Sequence, residues 1–155
     1  MSRTLVLVRH GDALGREPGQ TDAQRSLSDA GKRALEEAFP RTLGLLDPTA
    51  SSELWVSPAL RARQTAEIAN KTLGIEATYQ LKCLFDQDHD EFLDTYAGIG
   101  TDLVVAVGHI PFMEDMTLRL CGANLSFAPG AACAIDMGDA GLHGHLLWFV
   151  QGPQV

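Results

Sequence analysis

Thr4-Leu5-Val6-Leu7-Val8, running directly into Arg9-His10-Gly11-Asp12, is the stretch whose reading decides the fold. A continuous apolar and β-branched run predicts a strand buried on both faces, the habit of a parallel sheet covered by helices on each side. The polar, reactive residues then fall at the carboxyl end of that strand. Two other runs repeat the arrangement: Leu103 to Val107 ends in Gly108-His109, and Glu53 to Val56 ends in Ser57-Pro58 with Arg61 close behind.

Working outward, Gly15 to Gln24 is polar and carries Gly15, Pro18 and Gly19, so a loop is expected there. Ser28 is a plausible N-cap, with Asp29 in the first turn, for a helix carrying Leu35, Ala38 and Phe39. Pro40 should end or kink that helix, with Arg41 to Leu46 a continuation. Ser57-Pro58 reads as N-cap and first residue of a helix reaching about Leu73, with Leu60, Ile68, Ala69 and Leu73 as its apolar stripe. Ala77 to Gln80 suits a short strand and Asp90 to Ala97 a helix. Pro111 opens a helix with Phe112, Met116 and Leu120 at i,i+4 spacing, and Ala131 to Met137 and His145 to Val150 suit two late strands. Strands alternating with helices imply an α/β fold, a three-layer α/β/α sandwich around a central, mainly parallel sheet. Ligands of such sheets bind outside the carboxyl ends of the strands. That is where Arg9-His10, Ser57 with Arg61, and Gly108-His109 converge.

The chain has 155 residues, enough for one domain over 1–155 and for a substantial core. Hydrophobic residues make up 45% and charged residues 21%, which excludes disorder as the main state. The net charge of −8 and a pI near 4.9 argue against nucleic acid and against an anionic membrane surface as partners. Cys83, Cys121 and Cys133 are odd in number and form no CxxC pair, so free thiols in a reducing compartment are expected. Met1-Ser2-Arg3-Thr4 leads into an apolar run too short for a secretory signal, and a cytoplasmic location is the expectation.

Arg9, His10, Arg61 and His109 form one candidate site. Two guanidiniums can clamp a phosphoryl group through planar, always-charged contacts. Arg61 stands early in its helix, so its side chain points back to the N-terminus, where unpaired N–H groups suit an anion. A neutral imidazole can attack phosphorus and carry it covalently, and neighbouring arginines favour that neutral form. His10, placed by the turn that Gly11 permits, suits this role. His109 suits a hydrogen bond to the equatorial oxygens. The scheme asks for neither a metal nor a cofactor.

These residues resemble the histidine phosphatase superfamily. Its RHG motif is matched by Arg9-His10-Gly11, and its S-P-x-x-R-A-x-Q-T-A element by Ser57 to Ala66. Its late G-H is matched by Gly108-His109, and an R-x-L-s-x-x-G element by Arg25 to Gly31. The resemblance implies a phosphoglycerate mutase-like fold. It makes His10 the nucleophile, Arg9 and Arg61 the phosphate clamp, and His109 the second pocket histidine. Gly11 is a further substrate-site residue, and Arg25 a contact at the rim. The short chain looks like the SixA-type branch, whose substrate is protein phosphohistidine. A phosphohistidine-bearing signalling protein is the implied partner.

The sequence departs from that family at the general acid. One branch has a carboxylate directly after the second histidine, where Ile110 stands here. Another carries it on an insertion after the Arg61 helix; here that stretch offers Asp86, Asp88, Asp90 and Glu91 outside any motif. Glu114 is a further candidate, although it and Asp115 also suit the dipole of a first helical turn. An ester's leaving oxygen gains ~10²–10⁴-fold from an acid, whereas a protonated phosphoimidazole leaves as neutral imidazole. The reading therefore favours a metal-independent phosphohistidine phosphatase. A small-molecule phosphomonoesterase, a metal-dependent hydrolase and a phosphate-recognition module without turnover are the alternatives. Arg63, Glu67 and Lys71 at i,i+4 spacing form a solvated helix face. His143-Gly144-His145 reads as a turn at a strand entrance and not as a metal site.

Overall fold

A computed structural model describes residues 3–49, 51–139 and 141–155. Met1 and Ser2, the start of the segment weighed above as a leader, lie outside the described residues. Six strands, β1 (Arg3–Arg9), β2 (Glu53–Val56), β3 (Ala77–Gln80), β4 (Leu103–Gly108), β5 (Ala132–Gly138) and β6 (His145–Val150), form one sheet in the order β3-β2-β4-β1-β5-β6. The β1–β4, β2–β4 and β2–β3 ladders are parallel, whereas β5 runs antiparallel to both β1 and β6. The sheet is therefore mixed, with its parallel part where the three reactive strand ends converge.

Among the described residues five α-helices cover it: α1 (Asp29–Thr42), α2 (Leu60–Leu73), α3 (Lys82–Asp86), α4 (His89–Ala97) and α5 (Phe112–Cys121). Alternation along β1 assigns the two faces. Val6 and Val8 pack with Leu35 and Phe39 of α1 and Ala62 and Ala69 of α2. Leu5 and Leu7 pack with Leu84 of α3, Phe92 and Tyr96 of α4, and Phe112 and Met116 of α5. That is the three-layer α/β/α architecture, and it explains why β1 and β4 carry no polar alternation.

Several local expectations need correction. Helix α1 passes through Pro40 and ends at Thr42. Pro40 and Glu36 both lie on the exposed face, so the carbonyl left without its N–H partner is at the solvated side of the helix. Helix α2 begins at Leu60 with Ala59 before it, and its cap position makes no side-chain hydrogen bond. Ser57 stands two residues before that cap, its hydroxyl shared between the Ala59 N–H at 3.3 Å and His109 Nε2 at 2.8 Å. A 3-10 turn at Asp22–Gln24 and the helix α3 stand where a loop and no element were expected. Asp22 to Gln24 carry no apolar period, and five residues of α3 are too short for periodicity to register. Ser28 caps α1 as expected, accepting the Gly31 N–H at 2.9 Å.

Candidate active site

Strand β1 delivers Arg9 and His10 to the carboxyl edge of the sheet, β4 delivers His109, and the first turn of α2 delivers Arg61. All four line one pocket of about 390 Å³, together with Asp22 and Arg25. Phe85, Gln87, Ile110 and Pro111 also line it. The His10 and His109 rings are edge to face, with centroids 5.2 Å apart. His10, Arg61 and His109 are 8%, 6% and 6% exposed, so three chargeable groups sit in one buried cluster.

The backbone around His10 is pinned from several sides. Its N–H donates to the Gly108 carbonyl at 2.9 Å, and its own carbonyl accepts the Gly130 N–H at 3.0 Å. The next residue, Gly11, donates its N–H to Thr65 Oγ1 at 3.1 Å, and Thr65 donates in turn to the Arg61 carbonyl at 2.8 Å. A side chain at position 11 would put its Cβ 2.6 Å from Leu35 Cδ1. The histidine turn is therefore tied to the arginine helix through Thr65, and its glycine lets it lie against Leu35 of α1.

The ring of His10 has a defined tautomer. Its Nδ1 lies 2.7 Å from the Gly11 carbonyl oxygen, which can only accept, so Nδ1 carries the proton. Burial lowers the His10 pKa to about 4; the Gly11 hydrogen bond opposes the shift, while Arg61, Arg9 and Arg25 reinforce it. At neutral pH the ring is uncharged and Nε2 keeps its lone pair. His109 is lowered to about 3, first by burial and then by His10 and Arg61, against an opposing pull from Asp22. Its Nε2 is held by the fully buried Ser57 hydroxyl.

The guanidiniums are anchored differently. Arg9 donates through Nη1 to the Phe127 carbonyl at 2.7 Å, and the Phe127 N–H donates to Glu114 at 2.8 Å. Burial lowers the Arg9 pKa, and Glu114 opposes that shift. Arg61 donates to the Asp22 carbonyl at 2.8 Å and to Asp22 Oδ2 at 2.9 Å. Arg25 reaches Asp22 Oδ1 at 3.2 Å and the Leu14 carbonyl at 2.8 Å, which places it on the pocket wall.

Asp22 is the residue that sequence reasoning missed. It is the one carboxylate lining this pocket among the described residues. Burial raises its pKa, but the hydrogen bonds and charges of Arg61 and Arg25 outweigh that and hold it below the ordinary carboxylate range. Thr21-Asp22 belongs to no motif, so no sequence signal pointed to it. The five acids weighed as proton donors stand elsewhere. Asp86 pairs with Lys82 at 3.6 Å, Asp88 caps α4 by accepting the Glu91 N–H, and Asp90 meets Arg119 at 3.2 Å. Neither Glu91 nor Glu114 lines the pocket. Of the matched S-P-x-x-R-A-x-Q-T-A element, Ser57, Arg61 and Thr65 now have stated contacts. Gln64 adds another, accepting the Leu27 N–H at 2.7 Å to fasten α2 to the segment before α1.

Residues 5–92 match the sequence profile of the histidine phosphatase superfamily (branch 1), more than half of the chain. The chain belongs to the histidine phosphatase superfamily. This phosphatase shares its fold with solved structures at low identity. A protein from Nakamurella multipartitia, provisionally named phosphohistidine phosphatase SixA, is 27% identical, with a TM-score of 0.77 over 100% of this chain and 98% of that one. A provisionally named SixA from Agrobacterium tumefaciens gives 23% identity and a TM-score of 0.81, covering 97% and 98%. The protein histidine phosphatase SixA complexed with tungstate gives 20% and 0.79, covering 96% of each chain. No curated protein matches the phosphatase. Among its described residues, no helix is long and apolar enough to cross a membrane. Among the described residues no group of three or more His, Cys, Asp or Glu side chains is placed to hold a metal, and His143 and His145 make no such cluster there.

Proposed function

We propose that this phosphatase acts on phosphohistidine, carrying the phosphoryl group on His10 Nε2. The observation that carries the reading is the state of Asp22. This carboxylate, the one lining the pocket among the described residues, is bonded to two guanidiniums and held ionised, so it is a poor proton donor at neutral pH. Leaving groups that need no proton from the enzyme are then favoured, and a protonated phosphoimidazole is such a group.

In the first step the His10 Nε2 lone pair bonds to phosphorus while the bond to the substrate ring nitrogen breaks, its electron pair staying with that ring. Arg9 and Arg61 hold the phosphoryl oxygens. Ser57 accepts the Ala59 N–H at 3.3 Å and, among the described residues, has no acceptor for its own proton but His109 Nε2, so the proton is assigned there. That leaves Nδ1–H of His109 to donate to the transferring group. Gly11 serves through its carbonyl and its lack of a side chain, and Arg25 through the rim. In the second step water attacks phosphorus and His10 departs. Its Nδ1–H, held by the Gly11 carbonyl, lets it leave as neutral imidazole. The similarity to structures named for protein histidine and phosphohistidine phosphatases supports a phosphohistidine-bearing protein as the partner.

The test is phosphate release, with EDTA present, from a phosphohistidine-bearing protein and from an aryl phosphate ester, each beside His10→Ala. Faster release from phosphohistidine, lost in the variant, is the expected result. Comparable or faster ester turnover would move the assignment to a small-molecule phosphomonoesterase. Activity surviving in His10→Ala would refute the nucleophile.

A further inference from the structure

We propose that the side-chain amide of Gln87 receives the ring N–H of a phosphorylated imidazole and thereby selects phosphorus–nitrogen over phosphorus–oxygen leaving groups. The inference rests on the phosphohistidine reading and deepens it.

Gln87 closes α3 in the left-handed region, with φ 60° and ψ 35°, and is the one non-glycine residue at positive φ among the described residues. Helix ends in this conformation ordinarily take Gly or Asn. Gln87 instead lines the pocket that holds His10, Arg61 and His109. Its Oε1 is buried and has no hydrogen-bond partner among the described residues. A buried acceptor left without a donor is costly, and native structures rarely leave one unused.

The chemistry of the pocket says what that acceptor suits. Arg9, Arg61 and Arg25 are all donors, matched to phosphoryl oxygens. The carboxylate of Asp22 has both oxygens engaged by guanidiniums. An amide oxygen repels a phosphoryl oxygen and needs an N–H or O–H on the part of the substrate that leaves. The leaving oxygen of an ester offers none. A phosphorylated imidazole protonated on its second ring nitrogen, the form that leaves as neutral imidazole, offers one.

His10 already has the same arrangement, with its Nδ1 proton on the Gly11 carbonyl 2.7 Å away. Transfer from one imidazole to another is chemically symmetric, so the departing ring is served by a matching neutral carbonyl. Phe85, edge to face with His109 at 5.7 Å, adds an aromatic wall suited to a flat ring. In the step itself His10 Nε2 bonds to phosphorus and the old P–N electron pair goes to the substrate ring. That ring keeps its one N–H, hydrogen-bonded to Gln87 Oε1, and leaves as neutral imidazole; no proton passes to the enzyme.

The test compares Gln87→Leu and Gln87→Gly with wild type. The substrates are a histidine peptide phosphorylated by phosphoramidate, an aryl phosphate, and an N-methyl phosphoimidazolium that lacks the ring N–H. Leu keeps the bulk at positive φ and Gly relieves that conformation, so an effect common to both belongs to the amide. Both variants should lower the ratio of phosphohistidine to aryl-ester kcat/KM by about tenfold or more, the size of a hydrogen bond to a charged group. The ratio of methylated analogue to ester should not move. An unchanged phosphohistidine-to-ester ratio, or equal losses on all three substrates, overturns the role of Gln87 while leaving the phosphohistidine reading intact. Wild-type protein that turns over the ester and not the phosphopeptide overturns both.

Discussion

Replacing Asp22 with Asn tests whether the carboxylate competes with the substrate's phosphoryl group for Arg61. The substitution is nearly isosteric and keeps the backbone contact from Arg61 to the Asp22 carbonyl at 2.8 Å. What it removes is a charge whose Oδ2 lies 2.9 Å from Arg61 Nη2. Two unit charges about 4 Å apart attract by ~1 kcal/mol in bulk water and ~4 kcal/mol near a protein surface. The Asp22 side chain is 52% exposed, so the lower figure applies. An incoming phosphate must displace that contact and also meets the repulsion of a like charge. Asp22→Asn should therefore tighten inhibition by inorganic phosphate about fivefold at low ionic strength, the factor that corresponds to ~1 kcal/mol. The assay is the inhibition constant against aryl phosphate hydrolysis, repeated at rising salt, where the gap between variant and wild type should shrink. An unchanged or weaker inhibition constant in a variant with wild-type melting behaviour would refute the competition.

Other outcomes follow from the same geometry. The acid limb of kcat/KM for an ester should fall near pH 4 and not near 6.5, because the free enzyme's nucleophile is His10 with its pKa lowered to about 4; a limb near 6.5, once the substrate's own titration is allowed for, would contradict this. The same shift makes the folded protein less stable as pH falls from 6.5 toward 4, since the unfolded chain binds a proton that the folded one refuses. His10 alone contributes a loss of about 3 kcal/mol over that window, readable in urea melts at stepped pH. Ser57→Ala should cut kcat by about tenfold and leave the fold standing, because the hydroxyl at 2.8 Å sets which nitrogen of His109 carries its proton. Gly31→Ala should destabilise by more than Gly11→Ala in thermal melts. Its Cβ would overlap the Asp12 carbonyl oxygen, a backbone atom, whereas Gly11→Ala meets the Leu35 side chain, whose displacement costs about 1–3 kcal/mol.

The amino-acid sequence by itself determined the layers and the reactive strand ends. Thr4 to Val8 and Leu103 to Val107 lack polar alternation, and that is enough to require cover on both faces. The motifs Arg9-His10-Gly11 and Ser57 to Ala66 carried the resemblance to the family, because each is contiguous in sequence and can be read there whatever its residues touch. Only the tertiary structure decided which acid enters the pocket. Asp22 lies outside every motif and arrives on a 3-10 turn held by Arg61 from a helix 39 residues away in sequence. Of the acids that sequence proximity favoured, Asp86 pairs with Lys82 within α3 and Asp88 caps α4, whereas Asp90 meets Arg119 only because α4 and α5 pack together. Gln87 is of the same kind: its backbone conformation and its buried oxygen exist only once α3 is folded against the sheet. Periodicity reports the faces of regular elements; the polar contacts of short irregular segments are long-range in sequence, and a single chain gives them no local signature.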